Sequence, residues 1–76
     1  MSKLSFSGSG AFGPETFHPR LRTYLVANDG ATDLVVGLDE QRFTLAAGET
    51  LTSVSGETLG QFRVVSGGAW RFLADA

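Results

Sequence analysis

Two alternating apolar runs near the end of the chain, Phe62-Arg63-Val64-Val65 and Ala69-Trp70-Arg71-Phe72, are separated only by Ser66-Gly67-Gly68. Period-two alternation is the mark of a half-buried strand, and the glycines suit the left-handed position of a three-residue hairpin loop. Such a loop predicts that Phe62 lies opposite Phe72 and Val64 opposite Trp70, so that four large apolar side chains share one face of a ribbon. Arg63 then falls opposite Arg71 on the other face. Like charges across a ladder are unfavourable, so this pair calls for carboxylates nearby, either Glu57 or Asp75 of the same chain or acidic groups of a neighbouring subunit.

The same alternation runs back to residue 20. From Arg20 to Asn28 the odd positions Leu21, Thr23, Leu25 and Ala27 are expected to face inward, with Arg20, Arg22 and Tyr24 outward. Asn28-Asp29-Gly30 is turn chemistry, because Asn and Asp bond their own backbone and Gly accepts positive φ. Leu34 to Leu38 is almost wholly apolar and reads as a central strand, with Gly37 marking a bulge or a close backbone approach. The return strand is expected over Arg42 to Ala46, and a four-residue loop over Asp39 to Arg42 would bring Leu38 against Phe43 and Val36 against Leu45. Ala47-Gly48-Glu49 turns the chain into Thr50 to Ser55, whose unevenly spaced Leu51 and Val54 suggest an edge strand with a bulge. Helical periodicity is absent at any useful length. About six short strands joined by Gly-rich turns predict an all-β fold, a small antiparallel β-sandwich or barrel.

The opening differs. Within Met1 to Glu15, Gly8, Gly10, Gly13 and Pro14 oppose a helix or a central strand, although Leu4 and Phe6 allow a short edge strand. The expectation is a flexible Ser/Gly-rich N-terminal arm over residues 1–15, followed by a single β domain over residues 16–76. Phe6, Phe12 and Phe17 suggest that the arm orders against a neighbouring subunit, since a purely solvated tail seldom carries so many large aromatics.

Size bears on function. The chain has 76 residues, and a domain of this length buries only about 60% of its unfolded surface, which leaves stability marginal. There is no cysteine and a single histidine, His18, so disulfides and a structural zinc site are excluded as supplements. Oligomerisation is the favoured remaining one. A net charge of −2 gives no general attraction to nucleic acid or to an anionic membrane. No apolar run approaches a membrane span, and the N-terminus lacks signal-peptide features, so the chain is expected to be soluble and made in the cytoplasm. Five of the six cations are Arg, which suits bidentate contact with carboxylates, though genomic base composition would also produce it.

Chemistry is sparse. Ser53 and Ser55 lie near Glu49 and Glu57, but His18 sits in a Pro-bounded segment with no orienting carboxylate, so no nucleophilic triad is expected and the chain reads as no enzyme. Asn28, Asp29 and Asp33 share a loop yet fall short of a calcium loop's ligand count. Gly8, Gly10 and Gly13 lack the strand before and helix after that a phosphate-binding series requires. No metal or cofactor is expected. Trp70 and Tyr24 raise sugar stacking, which keeps a small ligand- or glycan-binding β module as the alternative function; Trp70 shares the apolar face and reads as core. A strand face bearing Arg20, Arg22 and Tyr24 suits a protein contact or an ordinary solvated surface. The candidate partner-binding residues are therefore Phe6, Phe12, Arg20, Arg22, Tyr24, Arg63 and Arg71.

The succession Asn28-Asp29-Gly30, Leu34-Val35-Val36, Phe43 to Glu49 and Phe62 to Trp70 resembles small β-sandwich structural proteins of tailed bacteriophage particles, as a pattern of strands and turns over roughly residues 24 to 73. The resemblance implies a virion component, such as a capsid decoration protein or a small tail or fibre module. It implies symmetric homo-oligomers or docking on a larger assembly such as a capsid or tail, and no catalytic residues. The implied location is the virion, or the cytoplasm if the chain is not viral.

Overall fold

The computed structural model describes residues 3–75, which form eight strands and no helix: β1 (Lys3–Ser9), β2 (Phe12–Leu21), β3 (Thr23–Asn28), β4 (Leu34–Leu38), β5 (Gln41–Leu45), β6 (Thr50–Thr52), β7 (Leu59–Ser66) and β8 (Ala69–Asp75). They build two four-stranded antiparallel sheets, ordered β1-β8-β3-β6 and β2-β7-β4-β5. Their apolar faces meet around Val26, Leu34, Val36, Phe62 and Phe72, all of which are fully buried. The all-β sandwich follows from the alternation. The strand count of about six is corrected to eight.

The two added strands come from the opening. Residues 3–9, expected as part of an arm, pair with β8 in unbroken register from Lys3↔Asp75 to Ser9↔Ala69. Leu4 and Phe6 face the core from this edge position, half-buried. β2 follows as the edge of the other sheet, with Phe17 buried and Pro14 and Pro19 placed where its pairing with β7 shifts register. An edge strand tolerates such interruptions because one side of its backbone has no ladder to break. Residues 1 and 2 of the expected arm and residue 76 of the expected domain lie outside the described range.

The closing runs do not form a hairpin. β7 pairs with β2 and β4, whereas β8 pairs with β1 and β3, so Ser66-Gly67-Gly68 is an arc that carries the chain from one sheet to the other. Gly67 has φ 141, and a Cβ there would stand 2.6 Å from Leu34 Cδ1, so only glycine fits without displacement. The expected aromatic contact survives in altered form. Phe62 and Phe72 stack across the sandwich with centroids 4.2 Å apart, and Phe62 meets Trp70 at 5.8 Å. Arg63 and Arg71 are consequently not cross-strand neighbours: Arg63 is registered with Gly37, and Arg71 with Ser7 and Ala27.

Two further registers differ from expectation. β4 and β5 are joined by the two residues Asp39-Glu40, with Asp39 in the left-handed region at φ 55, giving Leu38↔Gln41 and Val36↔Phe43. The shift from the expected pairing is two residues, so each side chain keeps its face. The strand expected over Arg20 to Asn28 breaks at Arg22, where the chain changes sheets and the alternation reverses. Beyond the break Val26 and Asn28 are buried, Tyr24 is half-buried against the core and Thr23 is exposed. Tyr24 therefore does not share an outer face with Arg20 and Arg22.

Asn28 is the one buried polar residue among those described, and its amide knits the β3–β4 connection. Its Nδ2 donates to the carbonyls of Thr32 and Leu45, at 2.8 and 2.9 Å, and its Oδ1 accepts from Gly30 N–H at 3.0 Å. A buried amide with these bonds made is tolerated; stripped of them it would be costly.

Candidate interaction surface

The seven residues singled out from sequence fall into three groups. Phe6, Phe12 and Tyr24 are half-buried and pack on the core. Phe12 lies 4.9 Å from Trp70 and 6.0 Å from Phe62, and Tyr24 stacks 6.4 Å from Phe72. Burial, and secondly the carboxylates of Glu57 and Asp39, push the Tyr24 hydroxyl above the ordinary tyrosine pKa, because each disfavours the phenolate.

Arg20 and Arg71 hold carboxylates of their own chain. Arg20 Nη2 donates to Asp39 Oδ2 at 2.9 Å while its Nε donates to Thr58 Oγ1 at 2.7 Å. Asp39 Oδ1 in turn accepts the N–H groups of Gly60 and Gln61, both at 3.0 Å, tying the β4–β5 turn to the start of β7. Arg71 grips Asp29 with Nε at 2.7 Å and Nη2 at 3.3 Å. The carboxylate that Arg71 requires is thus Asp29, across the β3–β4 loop, not Glu57 or Asp75. The oxygens of Asn28 and Asp29 considered for calcium already accept these bonds.

Arg22 and Arg63 complete the set. Arg22 is exposed, and Arg63 is half-buried on the outer face of the β2-β7-β4-β5 sheet. There the register sets Arg42, Gly37 and Arg63 in one row across β5, β4 and β7. The Arg63 side chain fills the space above Gly37, where an added Cβ would come within 2.9 Å of its Cγ and Nε. Gly37, expected to mark a bulge or a close backbone approach, is regularly paired and instead leaves room for a side chain, that of Arg63. Among the described residues, neither Arg42 nor Arg63 has a carboxylate within 4.0 Å, unlike Arg20 and Arg71. Arg42, the first residue of the expected return strand and the last of the expected four-residue loop, was not among the candidate contacts; beginning the strand at Gln41 places it within the alternation, on this face.

Two apolar features lie elsewhere. On the outer face of the other sheet, Ser5, Leu73, Leu25 and Thr52 form a row across all four strands, with Leu73 39% exposed. Where the edges β1 and β2 flank one open side of the sandwich, a cleft of about 360 Å³ is lined by Leu4, Phe6, Phe17 and Leu21, with Glu15 and His18 also at its wall. Trp70, only 2% exposed, donates its Nε1–H to Gly10 O at 3.0 Å and presents no face to a sugar.

These surfaces define the chain as a small two-sheet β domain whose outward features are rows of side chains and strand edges. Comparison with protein-family models, curated proteins and solved structures finds no match. No helix of the described residues is long and apolar enough to cross a membrane.

Proposed function

We propose that this domain is a non-enzymatic assembly protein, a structural component of a phage particle such as a capsid decoration protein or a small tail or fibre module. It acts by symmetric self-association or by docking on a larger assembly, and its place is the virion, after synthesis in the host cytoplasm. The observation that carries this reading is the outward row of Arg42, Gly37 and Arg63, two arginines flanking a glycine on one sheet face. Arginine is enriched at protein contacts, where its planar fork grips carboxylates, and Arg20 and Arg71 by contrast already have theirs within the chain. The strand-and-turn resemblance to phage structural proteins supports the same reading.

Sedimentation equilibrium at low salt tests it. The wild-type mass is expected to be a multiple of 8.0 kDa, and an Arg42→Gln/Arg63→Gln variant is expected to dissociate at lower salt while unfolding at a similar denaturant midpoint. Unchanged association with a clear loss of stability would remove this face from the contacts.

A further inference from the structure

We infer that the free edge of β1 is a pairing site for β1 of a second copy, joining two domains through one continuous eight-stranded antiparallel sheet. The inference rests on the assembly reading and adds to the Arg42 and Arg63 face a second surface, on the other sheet. Gly10 N–H donates to Gly68 O at 3.2 Å, continuing the register beyond Ser9↔Ala69. In an antiparallel ladder alternate pairs exchange hydrogen bonds, so counting back by twos Gly8, Phe6 and Leu4 bond to β8. Lys3, Ser5, Ser7 and Ser9 therefore turn their N–H and C=O groups to the free edge.

The other edges are blunted. β2 is interrupted by two register shifts and carries Pro14 and Pro19, β6 spans three residues, and β5 is short and carries Arg42. β1 has seven residues in unbroken register and no proline. Beside it lies the cleft lined by Leu4, Phe6, Phe17 and Leu21. Strand addition draws affinity from main-chain bonds and selectivity from sites for alternate side chains. The incoming strand must be extended and free of proline, with apolar residues at alternate positions.

β1 itself meets those requirements through Leu4 and Phe6. A two-fold axis at Phe6 sets Ser5 against Ser7 of the second copy, and Lys3, the sole charge on β1, against Ser9. No like charges meet. The Phe6 rings of both copies then lie next to each other over the cleft, covering apolar surface that the isolated domain leaves half-exposed.

Charge exchange at this edge tests the pairing. Ser5 and Ser7 point away from the core, so Ser5→Lys/Ser7→Lys and Ser5→Glu/Ser7→Glu variants are expected to fold, which far-ultraviolet circular dichroism verifies. Each alone sets like charges opposite one another and is expected to weaken self-association roughly tenfold or more at low salt. An equimolar mixture is expected to restore the wild-type mass. In the wild type, NMR hydrogen exchange is expected to show Ser5 and Ser7 amides whose protection rises with protein concentration, against constant protection for Phe6. Self-association with fast, concentration-independent exchange at Ser5 and Ser7 would overturn this inference and leave the assembly reading standing. A monomer at every concentration would overturn both self-association and this edge.

Discussion

The first two strands of the chain and the last two are built alike and buried differently. Each pair is joined by a short glycine-bearing arc, with Gly10 at φ 82 in one and Gly67 at φ 141 in the other, and each sends one strand to each sheet. The pairs lie side by side, β1 on β8 and β2 on β7, with Phe6 6.1 Å from Phe72 and Phe12 against Trp70. Yet β7 and β8 have neighbours on both sides while β1 and β2 have one. Trp70 and Phe72 are accordingly buried, whereas Leu4 and Phe6, on the same alternating pattern, are half-exposed. Burial of an alternating strand is decided by its position in the sheet as much as by its own residues. An arc that is central can support a core; an arc at the edge leaves backbone groups and apolar surface available to a partner.

The widest separation between the pairs is expected in the aromatic side chains. Trp70→Ala should cost about 3–5 kcal/mol, since it empties a buried site and leaves the Gly10 carbonyl without its donor. Phe6→Ala, measured by urea unfolding at concentrations where the domain is monomeric, should cost about half as much because the ring is only partly withdrawn from water. Equal losses would make the opening pair as much core as the closing one.

The two arcs are expected to differ in the same direction. Gly10→Ala meets nothing within 4 Å and carries only the strain of its positive φ, about 1 kcal/mol. Gly67→Ala adds a collision with Leu34 to an unfavourable backbone, for about 2–3 kcal/mol. Thermal melts of the two variants should rank in that order, and the reverse order would place the tighter arc at the opening.

The smallest effect concerns the ring on the other flank of Phe72. Tyr24 covers Phe72 from β3 as Phe6 does from β1, but its hydroxyl titrates. Its folded-state pKa lies above the ordinary tyrosine value, so the folded protein binds that proton more tightly than the unfolded chain. The contribution is fully present below the ordinary tyrosine pKa and is lost as pH rises through the folded-state value. Tyr24→Phe should unfold at a less pH-sensitive midpoint in this alkaline range. An unchanged alkaline slope would assign the sensitivity to other groups.

Much of the candidate surface was beyond sequence reading for one reason. Arg63 and Arg71 were legible as outward-facing, because their neighbours Phe62, Val64, Trp70 and Phe72 are so plainly apolar. Their partners were not, since a carboxylate such as Asp29 reaches Arg71 only after β3 and β8 have paired. Tyr24 changed sides because the break at Arg22 resets the alternation, and nothing local to Leu21-Arg22-Thr23 announces it. The edge of β1 was visible only as a short apolar alternation among glycines.

Alternation and turn chemistry suffice for an all-β chain and for the aromatic core of Phe62, Trp70 and Phe72. Tertiary structure alone decided which sheet each strand joined. Period two specifies the face on which a side chain lies but not the strand whose backbone lies beside it, and a short glycine loop serves a hairpin within one sheet or an arc between two. Either connection brings Phe62 onto Phe72. The choice went to the arc because β7 and β8 each found two long-range partners for their hydrogen-bonding edges, a competition between distant segments that no local window of residues contains.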